Sequence, residues 1–344
     1  MNGPETGPHD TPSPDALLDL LFGNVSIPFL KLPILRAALE LRVWASMAAG
    51  HRTGAAIAAA TGADETGFRQ LLDALVVMKL LEKDETGYRL PAFAERYLLP
   101  DSSAYLGDFV LEWLAWERHG HLADAIRTGR RPVIPDVTRP ESVEHFLPFY
   151  AVRALAPEEA VKRYADYWLT LGVEPRPGLR VLDLACGAGI ATLALALQHR
   201  DICLTLQDWP AMLSLAEQAA RTLGVTGQID LLAGDLLAID YGRGRFDVVR
   251  LGFVTYFFSR DDLARLFGKA RAALARDGML VIEAPLCDEG RCEKEEEVLD
   301  GPWLFAVTAG GDVYSFRDYE ELLHQAGLGL VALVDDGLIK AQRR

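Results

Sequence analysis

Three short clusters carry residue types whose spacing suits a small polar ligand. The first is Val181-Leu182-Asp183-Leu184-Ala185-Cys186-Gly187-Ala188-Gly189, between an apolar strand-like run and an apolar helix-like one. Gly187 and Gly189 lack Cβ atoms, so the backbone there can turn tightly and admit a ligand closely. Asp183 sets a carboxylate before that turn, where it suits a ligand bearing an ammonium group. The second cluster, Leu206-Gln207-Asp208-Trp209, ends the next apolar run. Asp208 is placed to accept from both hydroxyls of a ribose, and Trp209 could pack on a purine. The third is Gly234-Asp235-Leu236, where Asp235 could accept from an adenine amino group.

Two ligands fit glycine turns of this kind. A dinucleotide fingerprint needs a third glycine, and that position is Thr192. S-adenosylmethionine (SAM), with an ammonium group and an adenosine, matches the ordered set Asp183, Gly187, Gly189, Asp208 and Asp235 better. The competing reading is a domain whose acids only cap helices, as Asp208 would before Pro210.

The elements that must position these residues follow from periodicity. Apolar runs at 180–185, 202–207, 229–233, 246–252 and 279–284 read as strands. Helical patterns at 190–198, 210–223, 261–275 and 316–326 alternate with them. That alternation predicts an α/β fold with a mostly parallel, doubly wound sheet. Asp335-Asp336-Gly337 between two apolar runs predicts a C-terminal antiparallel hairpin. The first half is mostly helical. Helices are expected over 17–35, 32–47, 53–60, 65–80, 105–128 and 143–170, with Pro33 in a first turn. The run LLEKDETGYRLP reads as a hairpin, so residues 53–90 have the helix, helix, hairpin order of a winged helix. The expected division is a disordered tail at 1–15, a helical domain containing the winged helix and a linker helix at 16–170, and the ligand-binding domain at 171–344.

With these segments in view, the chain resembles the SAM-dependent small-molecule O-methyltransferase family over nearly its whole length. VLDLACGAG is similar to the family's glycine motif, and QDWP and GDLL to its two acidic motifs. FDVVRLGFVTYFFS resembles the strand leading to the catalytic site, GMLVIEAPL the next strand, and GGDVYSFRDYEELLHQAGL the segment before the final hairpin. The resemblance implies a dimerisation domain carrying the winged helix, a homodimer, and methyl transfer from SAM to a small, aromatic or polycyclic secondary metabolite. It places Asp183, Gly187, Gly189, Asp208, Trp209, Asp235, Leu236 and Phe258 at the cofactor, Phe258 near the adenine. The family's catalytic base is a His after the fourth strand. Tyr256 stands at that position, and residues 200–323 contain no His. The family's second catalytic acid is matched by Glu283, and the third falls near Val313 and is lost. Tyr, with an ordinary pKa of about 10, is a poor base at neutral pH but can orient an acceptor. Phe253, Trp303, Tyr314, Trp116 and Tyr150 are candidates to line the acceptor pocket. Oxygen and carbon both stand as acceptor atoms, with a slight tilt towards carbon because the His is missing.

Composition narrows the classes further. The chain has 344 residues, 35 basic and 49 acidic, for a formal charge of −14. Nucleic-acid backbones call for basic patches, so they are not the expected partner. Residues 61–90, the would-be recognition unit, carry Arg69, Lys79, Lys83 and Arg89 against six acids. A SAM-sensing regulator is therefore the weaker alternative, beside a SAM-binding relative of hydroxylase or pericyclase type. No run of about 18 apolar residues spans a membrane, and the first 15 residues lack a signal-peptide pattern. A cytoplasmic protein is expected, and Cys186, Cys203, Cys287 and Cys292 are expected as thiols. No metal is expected, since neither His119-Gly120-His121 nor Cys287 with Cys292 offers a full ligand set.

Overall fold

The computed structural model describes residues 27–113, 120–129, 138–164 and 166–343. The chain divides into two compact units, residues 1–114 and 115–344. The sequence boundary at 170/171 falls inside the second unit, because the helices over 138–170 pack with the sheet. The expected tail at 1–15 lies outside the described residues.

The first unit holds α1 (Ile27–Glu40), α2 (Val43–Ala48), α3 (Gly54–Thr61), α4 (Glu65–Val77), the strands β1 (Glu82–Asp84) and β2 (Gly87–Arg89), α5 (Ala92–Tyr97) and α6 (Gly107–Trp113). Its core gathers Trp44, Ile57, Phe68, Leu72 and Leu75. Thr53 and Asp64 cap α3 and α4 with their side chains, as short polar residues do at helix starts. Pro33 does not begin a helix, as expected from its position, but lies inside α1. The apolar run over 32–47 is broken where Arg42 takes a left-handed φ of 52° between α1 and α2. β1 and β2 pair antiparallel across Glu85-Thr86, with Lys83 opposite Tyr88. Lys83 Nζ and the Tyr88 hydroxyl both donate to Asp73 Oδ1, at 2.6 and 2.8 Å, which pins the hairpin to α4.

The second unit begins with α7 (Leu122–Thr128), α8 (Val143–Leu155), α9 (Pro157–Ala160) and α10 (Tyr167–Thr170). The helix expected over 143–170 is thus interrupted. Ala156 precedes Pro157, and a residue before proline is pushed out of the helical region. There follow β3 (Arg180–Leu184), α11 (Ile190–Ala196), β4 (Cys203–Asp208), α12 (Pro210–Leu223), β5 (Ile229–Ala233), β6 (Phe246–Gly252), α13 (Arg260–Ala273) and β7 (Leu274–Glu283). After a short pair, β8 (Leu286–Cys287) and β9 (Tyr314–Ser315), flanked by α14 (Glu295–Val307) and α15 (Phe316–Gln325), the chain ends in β10 (Leu328–Asp335) and β11 (Leu338–Arg343). The seven-stranded sheet has the order β10-β11-β7-β6-β3-β4-β5. Strands β3 to β7 run parallel, while β11 lies antiparallel to both β7 and β10. Asp335 pairs with Leu338, so the hairpin turns on Asp336-Gly337, and Gly337 supplies a φ of +75°.

The strand order reverses between β3 and β6. In such sheets ligands bind in the crevice beyond the carboxyl ends of the strands at that switch point. One apolar core, with Leu182, Val249, Phe267, Leu280 and Tyr319, covers one face of the sheet. The other, with Trp168, Val181, Leu193, Leu206 and Ala216, covers the opposite face. The indole N–H of Trp168 donates to the Ala191 carbonyl at 2.7 Å and ties α10 to α11.

Candidate cofactor and acceptor site

The carboxyl ends of β3, β4, β5, β6 and β7 carry the residues singled out by their chemistry. After β3 the chain turns through Ala185, Gly187 and Gly189, all with left-handed φ of 52°, 57° and 69°. Ala185 is the strained one, since only glycine adopts this region freely. The turn is stitched to β4. The N–H of Cys186 donates to the Gln207 carbonyl at 3.0 Å, and that of Ala185 to Gln207 Oε1 at 3.1 Å. The N–H of Gly187 donates to Asp208 Oδ2 at 2.8 Å. Gln207 Nε2 then reaches the Gly234 carbonyl at 2.7 Å, joining the ends of β4 and β5. Tyr150 of α8 lies over this turn, because a Cβ on Gly187 would meet its ring at 3.0 Å.

Asp208 is nearly buried, and its only described hydrogen-bond donors are the N–H groups of Gly187 and Trp209. Burial pushes its carboxyl up to about 6, while the two N–H groups and the nearby charge of Asp183 only adjust that rise. A carboxylate has about four acceptor positions, so two remain for hydroxyl groups. Trp209 is the N-cap residue before α12 and is half-buried. Asp235 is exposed beyond β5, with Oδ1 accepting from the Leu237 N–H at 2.7 Å. Leu236 and Phe258 are buried together in the core. Gly187 and Gly189 are buried, Gly187 under the Tyr150 ring and Gly189 against Leu206, Ala216 and Leu193. The polar groups that fit an adenosine are the Asp208 carboxylate at the end of β4, with acceptor positions to spare, and the exposed acid Asp235 beyond β5.

Two expectations are corrected here. Asp183 is 0% exposed, closed off from any ligand, and accepts from Arg250 Nη1 at 3.1 Å with Oδ1 and from the Thr192 hydroxyl with Oδ2. It serves Arg250 rather than a ligand ammonium group. Tyr314 is buried in the core, and its hydroxyl donates to the Phe258 carbonyl at 2.8 Å. It belongs to the core beside Phe258 and does not line a pocket.

On the acceptor side, Tyr256 sits on a tight turn after β6, its ring 4.3 Å from that of Phe257. Both pack on the small cluster of Cys287, Leu304 and Val313, with Trp303 beside them. Burial pushes the Tyr256 hydroxyl well above its ordinary range, and Tyr150 and Asp300 push it the same way. Val313, where the family places its third acid, is 1% exposed and packs in that cluster. Phe253 is exposed at the end of β6 with a left-handed φ of 54°, and its N–H donates to the Glu283 carbonyl at 2.6 Å. Trp116 lies outside the described residues. Strain at Ala185 and Phe253, at the ends of adjacent strands, marks the crevice as a place where geometry overrides local preference.

Glu283 ends β7, as expected, but it is not a free acid. Its Oε2 accepts from Arg250 Nη2 at 2.7 Å and from the Tyr167 hydroxyl at 3.2 Å. Arg250 Nε donates in turn to the Tyr167 oxygen at 3.1 Å. Arg250, Tyr167, Thr192 and Gln207 were not read from the sequence as site residues. An arginine inside the apolar strand FDVVRLG was the available signal, since a buried charge requires a partner.

Two family matches fall on the two units. Residues 26–100 match the O-methyltransferase dimerisation domain, and residues 181–278 match the methyltransferase domain. The chain is a SAM-dependent methyltransferase. Among its relatives is the 3-hydroxy-5-methyl-1-naphthoate 3-O-methyltransferase of Streptomyces sahachiroi, 26% identical and covering 93% of this chain and 91% of that one. An N,N-dimethyltransferase of Streptomyces rimosus is also 26% identical, over 72% of this chain and 73% of its own. The crystal structure of a putative O-methyltransferase from Nostoc punctiforme superposes with a TM-score of 0.72 at 25% identity, covering 97% of this chain and all of that one. The helical unit followed by the mostly parallel sheet is the fold this methyltransferase shares with that structure. Among the described residues, no helix is long and apolar enough to cross a membrane.

Proposed function

We propose that this methyltransferase moves the methyl group of SAM to a hydroxyl or amino group of a small aromatic, polyketide-like secondary metabolite, acting as a homodimer. The observation that carries the reading is the stitched turn at Gly187 after β3, whose amide fixes Asp208 at the end of the neighbouring strand β4, one strand from the switch point of the sheet. The named reactions of the two curated relatives supply the acceptor class, and they weigh against the tilt towards carbon. The apolar side chains Phe29, Leu30 and Leu32 on α1 are each about half exposed, as befits a helix that meets a second copy.

When bound, SAM supplies an electrophilic methyl group on a sulfonium. Asp208, as a carboxylate, accepts hydrogen bonds from the ribose, and Asp235 accepts from the adenine amino group. Trp209 and Tyr150 close the site on either side of the glycine turn. Tyr256 keeps its proton at neutral pH, because its hydroxyl is pushed upward. It therefore acts by donating a hydrogen bond that orients the acceptor, not by removing a proton; a hydroxyl acceptor enters as its phenolate, its proton already lost to bulk water, and an amine loses its proton to water after transfer. Methyl transfer then rests on alignment and exclusion of water, which together supply much of the acceleration in such displacements.

The test is incubation with methyl-labelled SAM and a panel of hydroxy- and amino-naphthoates, read by mass spectrometry. A singly or doubly methylated product supports the reading. Tight binding of S-adenosylhomocysteine (SAH) with no transfer to any aromatic acceptor would refute the acceptor class.

A further inference from the structure

Arg250 is 5% exposed and lies on the central strand β6. It faces Asp183 across β3, its register partner, and Glu283 at the end of β7 on the other side. Its ring neighbour Tyr167 lies 5.6 Å from the guanidinium carbon. All three nitrogen positions of the fork are therefore used. The described buried charges of this second unit are Asp183, Asp208 and Arg250, with Glu283 partly buried beside them. One guanidinium thus stands against the two carboxylates it touches, and a third carboxylate lies one strand away. Surplus negative charge in a poorly solvated place is costly unless a cation joins it.

Strand order says which part of a ligand meets that surplus. A ribose held at Asp208 on β4, with its base at Asp235 beyond β5, leaves the rest of the molecule to run over β3, β6 and β7. That direction leads past the glycine turn to Glu283. Only Oε2 of Glu283 carries described hydrogen bonds, and its side chain is 18% exposed, so Oε1 is the oxygen left to the crevice.

We propose that Glu283, held in place by Arg250, is the residue by which the donor site distinguishes the charged methyl donor from its neutral product. This rests on the reading that SAM binds at Asp208. Methyl transfer turns a sulfonium cation into a thioether, so the attraction to Glu283 vanishes with the methyl group. Arg250 and Tyr167 fix the carboxylate, and the remaining surplus favours the donor. The effect would help product leave after transfer.

The experiment is calorimetric titration of the full chain with SAM and with SAH, reading the ratio of the two Kd values. Glu283→Gln removes the charge and keeps the shape. The ratio of Kd(SAH) to Kd(SAM) should fall by about three- to tenfold relative to the parent, the range for a screened charge pair at short distance. Tyr167→Phe loosens the same cluster without changing its charge, and its ratio should stay within about twofold of the parent. Equal ratios in parent and Glu283→Gln would overturn the proposal, and so would an equal shift in Tyr167→Phe, which would point to loosening alone. If thermal melting shows Glu283→Gln unfolded, Glu283→Asp withdraws the charge by one methylene; its ratio should fall by about twofold or more, and an unchanged ratio overturns the proposal. Failure of the folded parent to bind either ligand would overturn the cofactor reading itself, a result distinct from an unchanged ratio.

Discussion

Replacing Gly187 by alanine tests the turn that organises the cofactor site. Gly187 has a φ of +57°, and an added Cβ would lie 3.0 Å from two carbons of the Tyr150 ring. Gly224 offers a matched control, with a φ of +71° and nothing within 4 Å of its Cβ. Both substitutions carry the left-handed cost of about 1–2 kcal/mol. Only Gly187→Ala also displaces Tyr150 and shifts an amide that donates to Asp208 at 2.8 Å. Losing a hydrogen bond to a charged acceptor is worth about 1.5–3 kcal/mol, so SAH affinity should fall by roughly ten- to a hundredfold. Gly224→Ala should lose comparable thermal stability with SAH affinity within about twofold of the parent. Thermal melting and calorimetry on both variants separate the two effects. Equal SAH affinity in both variants would refute the claim that the Gly187 turn holds Asp208 for the ligand.

Further consequences concern charge. Asp208 titrates at about 6 in the free protein and must be ionised to accept from a ribose, so affinity falls as pH drops through that value. At pH 5 roughly one molecule in eleven has it ionised, which predicts about tenfold weaker SAH binding than at pH 7.5, with the slope absent in Asp208→Asn. Tyr256→Phe should lower kcat for any identified acceptor by about tenfold or more while SAH affinity holds, and the rate should show no added dependence on a tyrosine ionisation. Arg250→Met should destabilise the fold by about 3–5 kcal/mol in a denaturant melt, because Asp183 and Glu283 would be left without their counter-charge.

The parts of the fold legible in the sequence were those with strong local signals. The strand at 229–233 and the helix at 210–223 appear with the bounds that periodicity implied. The final hairpin followed from Asp336-Gly337, whose turn chemistry is local. Helix ends were less legible where tertiary packing decided them. Pro33 sits within α1 and Pro157 breaks the linker, although both are prolines in apolar helical patterns. In the site, the turn at Gly187 and Gly189 and the place of Asp208 at the end of β4 were readable because each follows from local backbone pattern. Asp183 was misread because its role depends on Arg250, which is 67 residues away in sequence and adjacent only through strand pairing. Burial likewise hid the difference between Tyr314, fully inside the core, and Tyr256, only partly buried after β6, since both are aromatics in apolar surroundings.

The most direct test of the account is calorimetric titration of the purified chain with SAH beside an Asp208→Ala variant of equal thermal stability. The account predicts micromolar binding by the parent and loss of at least about tenfold in affinity in the variant, as removal of a charged hydrogen-bond acceptor requires. A folded parent that binds no SAH, or a variant that binds it as tightly as the parent, would contradict it.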